Sequence, residues 1–173
     1  MLPEAVTTIA ETLLPEGIAT GTVCGNTYLG NDNSGFHQGN ECLWHRLNAN
    51  PSDSVEKAIE FMDRSKDRDF FLFLHIMDPH GPYDPPQEYI DLLCDPGYSG
   101  KYRTEFEDGL DWQLTPDRPA ENEIHQVRSL YDAEAADVDN AMGELFEYLE
   151  SNNLLEDTLI IFAADHGEEF FEH

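Results

Sequence analysis

Two short apolar runs constrain this chain more than anything else in it. Phe70-Phe71-Leu72-Phe73-Leu74-His75-Ile76 and Thr158-Leu159-Ile160-Ile161-Phe162-Ala163-Ala164 are continuous and rich in aromatic and branched side chains. Each has the length of one strand, and a strand apolar on both faces is a buried one, the pattern of a parallel sheet. Between them the apolar positions Ile124, Val127, Tyr131, Ala135, Val138, Met142, Leu145 and Leu149 recur at steps of three and four. That stripe predicts a long amphipathic helix over 121–149, ended by Ser151-Asn152-Asn153. A short helix over 4–14, a strand over 18–23 and a helix from Pro51, capped by Ser52 or Asp53, complete the regular elements. The Gly- and Asn-rich stretch 26–44 reads as a loop, and so does the Pro-rich stretch 78–119. Helix and strand alternate, which predicts an α/β fold, a mainly parallel sheet flanked by helices, with residues 1–173 in one domain.

Both runs end in chemistry. The second stops at Asp165-His166-Gly167-Glu168-Glu169, so an oxygen and a nitrogen ligand stand at a strand's carboxyl end, where α/β proteins commonly build their sites. The first runs into Asp78-Pro79-His80-Gly81-Pro82-Tyr83. Prolines restrict that loop, so His80 is held with little freedom and can donate to an oxyanion or protonate a leaving group. Parallel strands share their carboxyl edge, so His80 and the Asp165/His166 pair can face one crevice. Plainer readings stand beside these. His75 alternates with Leu74 and Ile76 and reads first as a hydrogen-bonded core histidine. Asp78 can cap its turn, and Asp165 can open a turn with Gly167. Glu168, Glu169 and Glu172 read as solvated or supporting acids, and His173 carries no reading of its own.

Charge excludes some partners. Nine Lys+Arg against 36 Asp+Glu give a net charge of −27, with the acids scattered along the chain. Such a surface repels nucleic acid and anionic membranes. It suits very high ionic strength, where the Debye length falls to about 3 Å and self-repulsion is screened. No run approaches the length of a membrane helix, and residues 1–14 lack the pattern of a secretory signal. Cys24, Cys42 and Cys94 are far apart, with no paired zinc spacing. They read as free thiols of a cytoplasmic, or merely disulfide-free, protein.

Taken together, these blocks resemble the sulfatase family of the alkaline-phosphatase-like superfamily. The segment Phe71 through Tyr83 resembles its strand and P-H-x-P-Y loop. Tyr131 through Asp165-His166-Gly167-Glu168 resembles its long helix, strand and D-H-G-E turn, and Leu2-Pro3-Glu4 through Gly39 is similar to its preceding segment. The resemblance implies a metal-dependent hydrolase of small-molecule or carbohydrate sulfate esters. It implies Asp165 and His166 as ligands of a divalent metal, calcium in much of the family, and His80 as the group on the sulfate or leaving oxygen. Many sulfatases carry Asn at the position of His166. An imidazole suits manganese or zinc better than calcium and resembles the phosphonate and phosphodiester hydrolases of the superfamily. Phosphoryl-ester hydrolysis, or phosphoethanolamine-type transfer, is therefore the alternative within enzymes.

The departures from the family pattern shape a further expectation. The family's nucleophile lies in C/S-x-P-x-R, and none of Cys24, Cys42 or Cys94 is followed by that pattern. Its two N-terminal aspartate ligands have no counterpart here, and a basic residue expected after the metal turn would fall beyond His173. The expectation is the middle part of a sulfatase, with two of the usual four protein ligands. Such a piece, taken alone, is expected to be inactive and poorly stable. A protein that keeps the fold without catalysis, as a remnant or an acidic interaction module, is the alternative outside enzymes.

Overall fold

Thr8 opens the first helix, α1 (Ile9–Leu13), through a capping box. Its hydroxyl accepts from Glu11 N at 3.0 Å while the Glu11 carboxylate accepts from Thr8 N at 2.9 Å. A short 3-10 turn then ends at Gly17, whose φ of 82° is left-handed, and the chain enters β1 (Ala19–Cys24). The computed structural model describes residues 2–3, 5–30, 34–47, 49–103 and 118–171. Its chain divides into two compact units, 1–77 and 78–173.

The first unit is a three-stranded parallel sheet with helices packed on it. After β1 come α2 (Thr27–Gly30), β2 (Cys42–His45), α3 (Pro51–Ser65) and β3 (Phe70–His75). The strand order is β2-β1-β3, with Val23 opposite both Trp44 and Leu74. The central strand β1 is buried along its whole length. Helix α3 crosses β1 and β3. Its buried face is Val55, Ala58, Phe61 and Met62, at the three- and four-residue spacing of an amphipathic helix. The closest approach is at Gly21, where a Cβ would lie 2.6 Å from the Phe61 ring. Only glycine admits that ring, which also packs edge-on against Phe70 at 6.3 Å.

Three expectations are corrected in this unit. The stretch 26–44 contains α2 and most of β2, so it is not all loop. The cap of α3 is Asn50, whose Oδ1 accepts from Asp53 N at 2.6 Å with Pro51 as the first helical residue. Neither Ser52 nor Asp53 plays that part. And β3, expected to be buried on both faces, is half-buried at all six positions, because among the described residues it pairs on one side only.

The second unit is helical. It contains α4 (Gln87–Leu93), inside the stretch expected to be loop, and α5 (Glu121–Ser151). Residues 104–117, the rest of that expected loop, lie outside the described residues, as does His173. The core joins Tyr83, Ile90, Cys94, Ile124, Val127, Leu130 and Phe170. Helix α5 ends as expected at Asn152, with Asn153 in the left-handed region at φ 56°. The run 158–164 is the clearest departure. It forms no strand, and Leu159, Ile161 and Phe162 are 86, 82 and 74% exposed. A strand needs a neighbour to take up its backbone N–H and C=O groups. The described residues of this unit contain no other strand to supply one. No described helix of either unit is long and apolar enough to cross a membrane.

Candidate active site

The loop after β3 is shaped by two cis peptide bonds, Asp78-Pro79 and Gly81-Pro82. His80 lies between them, exposed, with Nδ1 2.6 Å from Gly81 O. A carbonyl only accepts, so Nδ1 carries the proton and Nε2 is the nitrogen presented to solvent. His166 repeats this arrangement. Its Nδ1 lies 2.7 Å from Gly167 O, which leaves Nε2 outward and 3.9 Å from Asp165 Oδ2. Asp165 Oδ1 accepts from His166 N at 3.0 Å. Both motif histidines are thus fixed in one tautomer by the carbonyl of the glycine that follows.

The two loops are tied to each other within the second unit. Tyr83, 3% exposed, donates its hydroxyl to Glu168 Oε2 at 2.6 Å. Its ring stands edge-on to Tyr131 at 5.8 Å, and Tyr131 stands edge-on to Phe170 at 5.5 Å. One aromatic chain therefore runs from the His80 loop across α5 to the residues after the Asp165-His166 turn. Burial raises the Tyr83 hydroxyl well above its ordinary value, and the Glu168 carboxylate adds to the effect. Tyr83 stays a donor at any physiological pH. Tyr83→Phe keeps the ring and removes this bond, so we expect a loss of roughly 1–2 kcal/mol in urea unfolding.

Helix α5 holds the His80 loop from a second direction. Glu134 is 4% exposed, and its Oε1 accepts from Asp84 N at 2.7 Å while Oε2 is buried with no hydrogen-bond partner among the described residues. Burial, aided by the charges of Asp78, Asp84 and Asp137, pushes the Glu134 carboxyl up to about 8. Asp78 is raised too, by burial first and then by Asp137. Asp137 is itself raised by burial and by Glu88 and Glu144. Glu134 is therefore largely protonated at neutral pH. Its folded value lies above the unfolded one, near 4.5, so its stabilisation is complete below the unfolded value and is lost as pH rises through about 8. Glu134→Gln keeps an acceptor for Asp84 N and cannot ionise. Thermal melts from pH 5 to 9 should show the wild-type chain losing stability relative to this variant as pH rises.

A divalent cation fits this site in donor type but not in donor number. Asp165 offers carboxylate oxygen and His166 offers Nε2, with the other ring nitrogen bonded to a carbonyl as in metal-bound imidazoles. Their side chains are 90% and 69% exposed, open to an ion. Yet among the described residues no group of three or more His, Cys, Asp or Glu is gathered closely enough to hold one. His80 makes no hydrogen bond or ion pair with either, among the described residues. His166 is raised above the ordinary imidazole value, chiefly by its bond to Gly167 O and then by Asp165. Sequence reasoning placed Asp165, His166 and His80 and left out Glu134. Glu134 reads as one more acid in an acidic chain, and its only signal is its position one turn before Val138 on the stripe.

A model of the sulfatase family matches residues 5–173. The chain is 24% identical over 127 residues to an arylsulfatase of Clostridium perfringens, covering 69% of this chain and 26% of that protein. It is 43% identical over 53 residues to arylsulfatase K of Rattus norvegicus, covering 31% and 9%. Over 53 residues it is 42% identical to the multifunctional alkaline phosphatase superfamily protein PehA of Trinickia caryophylli, covering 31% and 10%. Among solved structures, the crystal structure of Ps i-CgsB matches with a TM-score of 0.52 at 18% identity, over 84% of this chain and 37% of that one. The chain spans about a quarter or less of the curated relatives it matches.

Proposed function

This chain belongs to the sulfatase family, and we propose that the protein carrying it hydrolyses sulfate esters of small molecules or carbohydrates with the help of a divalent cation. The observation that carries this reading is the Tyr83–Glu168 hydrogen bond, 2.6 Å long. It links the loop of His80 to the turn of Asp165 and His166 through a buried donor. That link supports reading two sequence motifs 85 residues apart as parts of one site.

Each residue has a part in that reading. Asp165 and His166 contribute two donors to the cation, which when bound supplies positive charge against the ester oxygens. His80 presents Nε2 to the substrate, where it can donate a hydrogen bond or a proton to the departing oxygen. Tyr83 and Glu134 are positioning residues. One ties the His80 loop to the metal turn, and the other fixes the loop backbone at Asp84. The reading needs further ligands and a nucleophile that no motif in these residues supplies. None of Cys24, Cys42 or Cys94 opens the C/S-x-P-x-R pattern, and burial pushes the Cys24 and Cys94 thiols above the ordinary value, away from the reactive thiolate.

One observation favours a second reading. An imidazole at position 166 is a softer ligand than an amide and suits zinc or manganese, and one relative is named for the alkaline phosphatase superfamily. A phosphodiester or phosphonate ester is the substrate class that follows. Parallel turnover of 4-nitrophenyl sulfate and bis(4-nitrophenyl) phosphate by the full-length protein separates the two. Preference for the sulfate supports the first reading, and preference for the diester replaces it with the second.

A further inference from the structure

Residues 78–86 carry His80, and four of these nine are proline: Pro79, Pro82, Pro85 and Pro86. Proline has no amide hydrogen, so this loop has few main-chain donors with which to hold its surroundings. Asp84 N is one of the few, and it donates to Glu134 Oε1 on α5 at 2.7 Å. The other carboxyl oxygen, Oε2, is buried with no hydrogen-bond partner among the described residues. A buried side chain of the long helix therefore grips the loop backbone a few residues past His80.

The surroundings suit only one form of that side chain. A neutral carboxyl can hold Asp84 N and remain in the core. A carboxylate in the same place would be a desolvated charge with a single donor. The charged groups that face it share its sign: Asp78 and Asp84 from the loop and Asp137 from the next turn of α5. Tyr83 of the loop faces it too, as a neutral hydroxyl. Beyond Asp137 stand Glu88 and Tyr89 of α4 and Glu144 of α5. None of these groups is a cation. The bond to Asp84 N draws the carboxyl down, but burial outweighs it, and the facing acids add to burial.

We propose that Glu134 is a proton-operated latch on the His80 loop: protonated, it stays in the core and holds Asp84 N; ionised, it turns to water and lets the loop go. As a device that regulates the site, the latch rests on the reading of His80 as the group that meets the ester. Its pH window follows from the two positions of the carboxyl. With the loop closed the proton is kept up to about 8, and with the loop open and the carboxyl in water it is lost near 4.5. Between these values only the closed form holds the proton, so each pH unit favours opening by about tenfold. Outside that window opening is independent of this group.

The test is hydrogen–deuterium exchange of the full-length protein between pH 6 and 9, corrected for the intrinsic pH dependence of exchange. The peptide spanning 78–86 reports the loop, and one spanning β1 is the control. Protection of the loop in the wild-type protein, relative to Glu134→Gln, should fall by about tenfold per pH unit and level off above about 8. The control peptide should not follow it. Asp137→Asn removes one of the facing charges without touching the bond to Asp84 N. Its levelling should come at lower pH, with more protection left above it, and this variant keeps the test sharp if Glu134→Gln folds poorly. The same pH dependence in wild type and Glu134→Gln, or an Asp137→Asn profile identical to wild type, would overturn the latch. Turnover of 4-nitrophenyl sulfate by the same preparations reads the hydrolase proposal separately. The expected exchange profile without turnover sinks the ester reading and leaves the latch, and a flat profile with turnover does the reverse.

Discussion

Replacing Asp165 or His166 by alanine in the full-length protein should weaken divalent metal binding by more than about 100-fold, since even groups that only orient metal ligands are worth 10- to 100-fold. The expected loss is specific because neither side chain supports the fold. Asp165 is 90% exposed and His166 69% exposed. Their hydrogen bonds, to His166 N and Gly167 O, stay within the turn itself. The thermal midpoint should therefore be unchanged while metal affinity and ester turnover fall together. His166→Asn is the informative partner. It replaces a nitrogen ligand by an amide oxygen, and the preference among metals should move toward calcium. The pH dependence carries a sign as well. A metal-bound imidazole must be neutral, and His166 is raised above the ordinary imidazole value by Gly167 O and Asp165. Metal affinity should fall as pH falls through that raised value, beginning at a higher pH than an unperturbed histidine would give.

Leu130→Ala should destabilise the protein by about 2–5 kcal/mol, the range for emptying a fully packed leucine site. Leu130 is 0% exposed in the core of the second unit, in the cluster that contains Tyr83 and Phe170. Those two residues anchor the His80 loop and the residues after the Asp165-His166 turn. The cavity should thus cost stability and loosen the site in one step. Phe146→Ala on the same helix is the control: Phe146 is 38% exposed, and the cost there should be well under half as much. Equilibrium urea unfolding of both variants measures the difference. Equal losses would show that the site does not rest on this core.

These two predictions rest on features of unequal visibility in the sequence. The helix α5 was legible because its apolar positions recur at three and four residues, α3 because Val55, Ala58, Ile59 and Met62 fall on one face after a capping signal, β1 because the break at Pro15-Glu16-Gly17 precedes it, and β3 because it is a continuous apolar block. Two short elements were hidden by their neighbours. Four residues of β2 follow a Gly- and Asn-rich stretch, and what makes them a strand is register against β1, a contact made at a distance in the chain. The seven residues of α4 start directly after Pro85-Pro86, whose loop-forming signal dominates the reading there. The run 158–164 shows the reverse. Its composition is that of a strand, but composition cannot supply a partner, and the described residues around it offer none.

In the candidate site the residues proposed for the chemistry stand out in the sequence and their supports do not. Asp165, His166 and His80 stand out because imidazole and carboxylate follow apolar runs directly. Glu134 and Glu168 are acids among 36, and sequence gives an acid its ordinary meaning, a solvated surface group. Only packing shows that one is buried against Asp84 N and that the other accepts the hydroxyl of a buried tyrosine. The crevice expected at a shared strand edge is not formed as expected, because 158–164 is no strand; what joins the two loops is the Tyr83–Glu168 bond.

The most direct test of this account is hydrolysis of 4-nitrophenyl sulfate by the full-length protein, with and without chelator, beside Asp165→Ala. The account predicts turnover that chelation abolishes, that added divalent metal restores, and that Asp165→Ala lacks. Turnover that survives both chelation and Asp165→Ala would contradict it, as would a metal-replete protein that leaves the sulfate ester intact.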